Sequence, residues 1–471
     1  MDNISKLQEA LTWANLAVLL AVYFASLIFY RLFWTLFPNS PAYYDLVQNG
    51  QYTFKIVDLH KKYGPIIRIS PYELHVIDPA FFEKLFRQDG RWDKYAWVYK
   101  AFFVEGATIC TASHELHKAR RQPLNQFFSK TKVAARQGII DHNITKFCGR
   151  VSQFSGKTVK VRDALSALAR DISCEFILDK TYGNLDQEDF NIAITKMIQD
   201  GAGFIWRVSK HLRQESEEDS KNLLSISTTS SPVELPSRTI VHEIVDSKLP
   251  PEEKKLARVH DDVTTISSAG FETTASVLRL VLFHIYNNQE ILRQLRAEID
   301  TVMEASLFND EKLEVKKLEQ FPYLTSVIME GMRLSPAIGS RMARIAPDRD
   351  LFYGNFRIPA GTPVGMTIIL MHTDETLYPA PLSFNPDRWM DLEERKKMEK
   401  TYAPFSRGTR MCLGMYLAWA QMYLIVARVV HLFDFDFKGI EPADFEMVSD
   451  QFVIGTKGNA VLNGLVTLRK A

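Results

Sequence analysis

The pattern of apolar and polar positions predicts different environments along this chain. Residues 17–30 are almost wholly apolar, interrupted only by Ser26, and aromatic side chains crowd the far end at Phe29, Tyr30, Phe33, Trp34 and Phe37. Crossing a bilayer takes about twenty apolar residues in a helix, and 13–34 supplies that length if Arg31 extends its charge to the interface. The first residues carry Asp2, Lys6 and Glu9, and no small-residue cleavage site follows, which argues against a cleaved signal peptide. Basic residues come after the span, at Arg31, Lys55, Lys61, Lys62 and Arg68. Positive charge stays on the cytosolic side, so the expectation is a single-pass anchor in the endoplasmic reticulum membrane, with a lumenal N-terminus and a cytosolic body. Asn3-Ile4-Ser5 is then a lumenal glycosylation acceptor, whereas Asn143-Ile144-Thr145 faces the cytosol. Pro38-Asn39-Ser40-Pro41 ends the anchor helix and divides the chain into 1–37 and a body at 38–471.

Beyond the anchor, Ile66–Ser70 and 73–78 read as two short strands around a Pro71-Tyr72 turn. From residue 78 to about 310 the periodicity is chiefly helical, with a long apolar run at 263–286. A helix follows at 323–334, short strands with Gly and Pro turns at 343–385, and an apolar helix from Met415. The fold expected is mainly α with a small, sequence-scattered β-sheet region. Residues 214–236 break the pattern, being polar and serine-rich with no apolar period.

Composition narrows the functional classes. Of 471 residues, 46% are hydrophobic and 24% charged, and 57 Lys+Arg against 56 Asp+Glu leave a net charge of +1. Nothing global argues for nucleic acid or a strongly acidic partner. The four cysteines, Cys110, Cys148, Cys174 and Cys412, form no C-x-x-C pair or zinc spacing, which fits reduced thiols in a cytosol-facing body. His114 and His117 stand three apart, one short of the spacing that puts two zinc-binding histidines on one helix face.

The candidate chemistry begins at 405–414. Phe405, Gly408, Arg410, Cys412 and Gly414 lie at fixed offsets just before the helix that starts at Met415. A metal-binding thiolate needs backbone N–H groups around its sulphur, glycines allow that approach, and a helix N-terminus favours the ionised form. A second cluster, Ala269-Gly270-Phe271-Glu272-Thr273-Thr274, interrupts the apolar run at 263–286. Glycine, paired threonines and a lone carboxylate each cost helical stability, so together they predict a local distortion where a ligand approaches. A third is Glu330 and Arg333 at i, i+3, with Arg388 following in Phe384-Asn385-Pro386-Asp387-Arg388-Trp389.

The loop F-x-x-G-x-R-x-C-x-G, with the other two motifs, resembles the haem-thiolate monooxygenases of the cytochrome P450 family, and the resemblance extends over the chain beyond the anchor. It implies haem b as cofactor, with Cys412 as axial ligand of the iron. It implies that Thr273 holds a hydrogen-bonded water beside dioxygen and that Glu272 relays protons from solvent. Glu330, Arg333 and Arg388 would form a buried network supporting the cysteine loop, with Trp389 where phenylalanine is commoner. Propionate partners would be Arg410, Arg344, and the helical pair His117 and Arg121, His117 standing where the family commonly has tryptophan. By family position, Phe102, Phe103, Ile266, Ala269, Ala337, Ile338, Phe452, Val453 and Ile454 would line an apolar substrate pocket. The basic run Lys118, Arg120, Arg121, Lys130 and Lys132 is expected on the face where an acidic reductase docks. Residues 214–236 fall where the family has a helical lid, which is either abbreviated here or lost from the gene prediction.

The function implied is a membrane-bound monooxygenase that takes NADPH-derived electrons through a P450 reductase and uses O2 to hydroxylate or epoxidise a lipophilic small molecule. The chain looks most like fungal microsomal enzymes of secondary metabolism, on terpenoid or polyketide scaffolds. Two alternatives stay open: a haem-thiolate isomerase, dehydratase or peroxide-using enzyme, and an inactive haem-binding product of a truncated gene. The intact Glu272-Thr273 couple argues against the former, and only the 214–236 stretch favours the latter.

Overall fold

Small side chains let two helices meet at the centre of the molecule. The computed structural model describes residues 13, 15–30, 43–99, 102, 104–199, 217, 220–222, 224–225, 238–308, 313–335, 337–459 and 461–469. Eight helices organise the body: α1 (Tyr52–Tyr63), α2 (His114–Phe127), α3 (Gln137–Ser152), α4 (Val161–Leu178), α5 (Leu256–Asn287), α6 (Gln289–Phe308), α7 (Pro322–Leu334) and α8 (Met415–Leu432). Helix α5 runs through the core and buries Val259, Val263, Val277, Leu278, Val281, Leu282 and Ile285. Helix α4 packs along it, presenting Ser166 and Ser173. At Gly270 the approach leaves no room for a side chain: a Cβ there would fall 2.4 Å from Ser173 Oγ. Helix α8 is long and apolar enough to cross a membrane, with a mean hydropathy of 1.3, but it packs on α3, α5 and α6 within the main core.

Helix α5 is unbroken from Leu256 to Asn287, so the distortion expected at the glycine–threonine cluster is not seen. Thr273 Oγ1 donates to the Ala269 carbonyl one turn back at 2.8 Å, which satisfies the hydroxyl inside a continuous helix.

The strands are short and come from distant parts of the chain. β1 (Ile66–Ser70), β2 (Glu73–Val76), β3 (Asp93–Lys94), β5 (Arg344–Ile345) and β8 (Pro363–Gly365) form one sheet in the order β1-β2-β8-β5-β3. β1 and β2 are the pair expected around Pro71-Tyr72, and β8 joins parallel to β2 with Leu74 opposite Val364. β4 (Lys157–Lys160), β12 (Asn463–Leu468) and β9 (Phe433–Asp436) make a second sheet, while β6 (Leu351–Tyr353) with β7 (Phe356–Ile358), and β10 (Met447–Gln451) with β11 (Val453–Thr456), are hairpins.

Near the N-terminus, Asn15–Tyr30 is an apolar helix with its side chains exposed, including Leu19, Phe24 and Phe29. Its described length is below the roughly twenty residues that span a bilayer. Asn3, the 31–37 aromatics, the 38–41 hinge, Phe103 and most of 214–236 lie outside the described residues.

Candidate active site

The cysteine loop is closed by its own backbone. Gly408 has φ +76, and a Cβ there would fall 2.5 Å from the Arg87 carbonyl oxygen, so the position accepts only glycine without a shift. The Cys412 N–H donates to the Phe405 carbonyl at 2.9 Å, pinning the two ends of the loop. Cys412 is the exposed one of the four free cysteines, its surface opening into a cavity of about 360 Å³. Protein surrounds that cavity, and the shielding pushes the Cys412 thiol up, against the Gly414 N–H and the Arg121 charge, which pull it down.

Most of the residues singled out in the sequence meet here. Phe405, Arg410, Cys412 and Gly414 line the cavity from one segment and His117 and Arg121 from α2; Ile266, Ala269, Glu272 and Thr273 line it from α5. Phe102, Ala337, Ile338, Phe452 and Val453 complete it. The 337–339 and 452–454 segments lie side by side, with an antiparallel bridge between Ile338 and Val453. Ile454 is absent from the lining; its N–H donates to the Ala337 carbonyl at 2.9 Å. The Phe102 and Phe452 rings meet edge to face with centroids 4.9 Å apart.

One end of the cavity carries an uncompensated positive cluster. Arg410 donates to the carbonyls of Thr111 at 2.8 Å and Ala112 at 2.7 Å, but among the described residues its buried Nε has no partner. Arg344 lies just outside the lining and donates to the Met342 carbonyl at 2.8 Å, and its Nη2 is likewise unpartnered. Lys94, which the sequence reading passed over, lines the same end, donates to the Ile109 carbonyl at 2.5 Å and sits 4.1 Å from the Tyr99 ring centroid. Burial, then the charges of Arg410 and Lys94, hold His117 down at about 2; burial, then Arg344, holds Arg410 at about 10. Lys94 falls well below the usual lysine range through burial and the neighbouring arginines. Buried cations are ordinarily paired. Among the described residues no carboxylate pairs with these, so the cluster fits a ligand bearing two carboxylates.

Glu272 and Arg279 of α5 meet Ser166 of its neighbour α4. Glu272 is buried, with Oε1 ion-paired to Arg279 Nη2 at 2.5 Å and Oε2 accepting from Ser166 Oγ at 3.1 Å.

Away from the cavity, Glu330 has no exposure to solvent and is fully subscribed. It accepts from Arg333 Nη2 at 2.8 Å, Arg388 Nε at 3.0 Å, the Asn385 N–H at 3.0 Å and Trp389 Nε1 at 2.9 Å. Arg333 also donates to the His372 carbonyl at 2.7 Å, and His372 Nε2 accepts the Ala403 N–H at 3.0 Å, two residues before Phe405. The network therefore reaches the cysteine loop through a histidine that the motifs did not include. Arg120 corrects an expectation: it does not share the exposed face of Lys118, Lys130 and Lys132. It is buried and ion-paired to Glu253 at 2.6 Å, because helix α2 turns it towards the start of α5.

Residues 33–462 match the family described as Cytochrome P450. The chain belongs to the cytochrome P450 family. The cytochrome P450 monooxygenase astB of Talaromyces wortmannii is 34% identical over 430 residues, covering 86% of this chain and 84% of its own. The N-acetyltryptophan 6-hydroxylase ivoC of Emericella nidulans is 30% identical over 491 residues, covering 93% and 94%. Among solved structures, the cytochrome P450 CYP102L1 superposes with a TM-score of 0.73 at 18% identity, covering 89% of this chain and 98% of its own, a likeness of fold. The cofactor of this P450 is haem b, and the enzyme is an oxygen-incorporating oxidoreductase. The orphaned arginine nitrogens, the unpaired cation cluster and a cysteine open to the same cavity all fit that group, with its iron and two propionates.

Proposed function

We propose that this cytochrome P450 is a membrane-anchored monooxygenase that hydroxylates or epoxidises a lipophilic small molecule, a terpenoid or polyketide of fungal secondary metabolism, with O2 and NADPH-derived electrons passed by a reductase. The observation that carries the reading is that Cys412, Arg410, Lys94, His117, Arg121, Glu272 and Thr273 all line one cavity, with Arg344 just outside it. Cys412 would supply the thiolate to the iron, while Arg410, Arg344, His117, Arg121 and Lys94 would hold the propionates. The haem, when bound, supplies oxygen activation. The chain's own part is to orient substrate against an apolar wall that includes Phe102 and Phe452, and to manage protons at Thr273 Oγ1 and the Glu272 carboxylate. Asn15–Tyr30, exposed and apolar, is the core of an anchor spanning the endoplasmic reticulum membrane within 1–37, with the haem domain at 38–471 in the cytosol. Exposed Lys118, Lys130 and Lys132 offer charge to an acidic reductase.

The test is the reduced, carbon monoxide-bound absorption spectrum of the full chain in membranes. A Soret band far to the red, lost in Cys412→Ser, is expected; no haem uptake by the wild type overturns the reading. NADPH and reductase dependence of turnover separates the monooxygenase from a peroxide-using enzyme. Deleting the gene and profiling metabolites then identifies the substrate as the compound that accumulates.

A further inference from the structure

A row of buried polar side chains runs along α4, and two of them, Ser166 and Ser173, meet α5. Asp163, Ser166, Arg170 and Ser173 follow at intervals of three, four and three residues, which places them on one helix face. All four are buried, at 1%, 0%, 1% and 0% exposure. Polar groups are rarely assembled so deep between two helices unless they serve one another or hold water. Ser166 and Arg170 have protein partners: Ser166 Oγ donates to Glu272 Oε2, and Arg170 donates to Thr195 Oγ1 at 2.9 Å and to the Phe190 carbonyl at 3.0 Å. The two ends of the row do not share that satisfaction. Asp163 accepts from Arg162 Nε at 2.8 Å through Oδ1, but among the described residues its Oδ2 has no partner. Ser173 Oγ is also without one, although it lines the active-site cavity and lies against the bare backbone of Gly270. Ser173 meets Gly270 while Ser166 meets Glu272 and, at 3.5 Å, Arg279, so the helices run antiparallel and the row passes directly behind the Glu272-Thr273 couple.

We propose that this seam is the proton route behind Glu272, with Ser173 and Asp163 each holding an ordered water at its ends and Ser166 and Arg279 positioning the carboxylate between them. The inference rests on the role given to Glu272 above. Protons enter from solvent near Arg162, whose side chain is 15% exposed, and leave into the cavity at Ser173. Each hydroxyl and water gives up one proton as it receives another, so the seam ends as it began. Ser166, Arg279, Ser173 and Asp163 are positioning residues, acting through Glu272 and through water.

The experiment uses the holoenzyme with its reductase. Ser173→Ala removes one oxygen and keeps the Cβ that packs on Gly270, so haem content, thermal midpoint and the reduced carbon monoxide spectrum should match the wild type. A high-resolution crystal structure of the wild type should show a water hydrogen-bonded to Ser173 Oγ, absent from the variant. NADPH oxidation, which needs no added substrate, should fall about threefold or more in Ser173→Ala and in Ser166→Ala, with a greater loss at high pH where protons are scarce. Glu272→Gln is measured alongside. If it slows NADPH oxidation while both serine variants keep the wild-type rate and pH profile, or if Ser173 binds no water, the seam is overturned and the role of Glu272 stands. If Glu272→Gln matches the wild type, the role of Glu272 falls and the seam with it.

Discussion

The indole N–H of Trp389 donates to Glu330 Oε2 at 2.9 Å, giving a carboxylate with no solvent exposure a partner that phenylalanine could not supply. A buried carboxylate is stable only when its oxygens are fully hydrogen-bonded. Trp389→Phe keeps the ring against Tyr402, whose centroid is 4.9 Å away, and removes this one donor. The expected cost is about 1–2 kcal/mol. It is read as a fall of a few degrees in the thermal midpoint of the holoenzyme, with the carbon monoxide spectrum retained. An unchanged midpoint would mean that the other donors to Glu330 suffice.

Lys94 gives a second prediction. Its amino group is buried at the cavity's cationic end with a carbonyl and a ring face but, among the described residues, no carboxylate, so a haem propionate would supply what it lacks. Lys94→Met fills similar space without charge. A charge-assisted hydrogen bond is worth about 1.5–3 kcal/mol, so haem transfer to an acceptor protein should accelerate by roughly tenfold or more. A rate equal to that of the wild type would remove Lys94 from the set of propionate partners.

What was legible in the sequence follows from how local each constraint is. The cysteine loop and the Glu330–Arg333 pair stand out because their chemistry requires particular residue types within a few positions. Helix α5 was legible through its apolar run, although continuity at Thr273 was not, since the bond to the Ala269 carbonyl depends on a side-chain rotamer. Partners far away in sequence were hidden. Arg120 looked like a surface cation because Glu253, which buries it, lies 133 residues on. β4 gave no strand signal because Val159 alone among Lys157–Lys160 is buried, and the partner strand, with Gly464 opposite Val159, comes near the end of the chain. Lys94 passed unnoticed because a single lysine beside an aspartate is ordinarily solvated.

Acid should destabilise the fold through its buried histidines. His372 uses both ring nitrogens as a neutral imidazole, facing the Arg333 carbonyl at 3.1 Å and the Ala403 N–H at 3.0 Å; burial, then the Arg333 charge, lowers it from 6.5 to about 3. His284, stacked on Phe384 with centroids 4.4 Å apart, is lowered by burial from 6.5 to about 4. Below pH 6.5 the unfolded chain takes up these protons and the folded chain does not. Each histidine therefore subtracts about 1.4 kcal/mol per pH unit until its folded value is reached. Stability is then flat above 6.5 with respect to these groups and falls below it, down to about 4 for His284 and about 3 for His372. His284→Phe, which preserves the stack, should make that acid limb shallower by about one proton in urea unfolding measured against pH. A parallel limb would show that His284 is protonated in the folded state.

Thr273 and Cys412 make the last prediction because their losses should differ in kind. On the proposed reading Cys412 would provide the thiolate, so Cys412→Ser should abolish activity and the red-shifted carbon monoxide band together. Thr273 touches the cavity from α5, and its hydroxyl is held one turn back by Ala269 rather than by a buried network. Thr273→Ala should therefore leave haem content, the carbon monoxide band and the thermal midpoint close to wild type. On the proposed reading it removes a proton-handling hydroxyl, a contribution of the order of 10²–10⁴ in general acid–base steps. Electrons from NADPH should then appear mainly as hydrogen peroxide, and the product formed per NADPH consumed should drop sharply. Product and peroxide measured in the same reaction distinguish this from a slower but intact enzyme, in which both would fall in proportion. Coupled turnover by Thr273→Ala at the wild-type ratio would refute the role given to the hydroxyl, while leaving Cys412 as the ligand untouched.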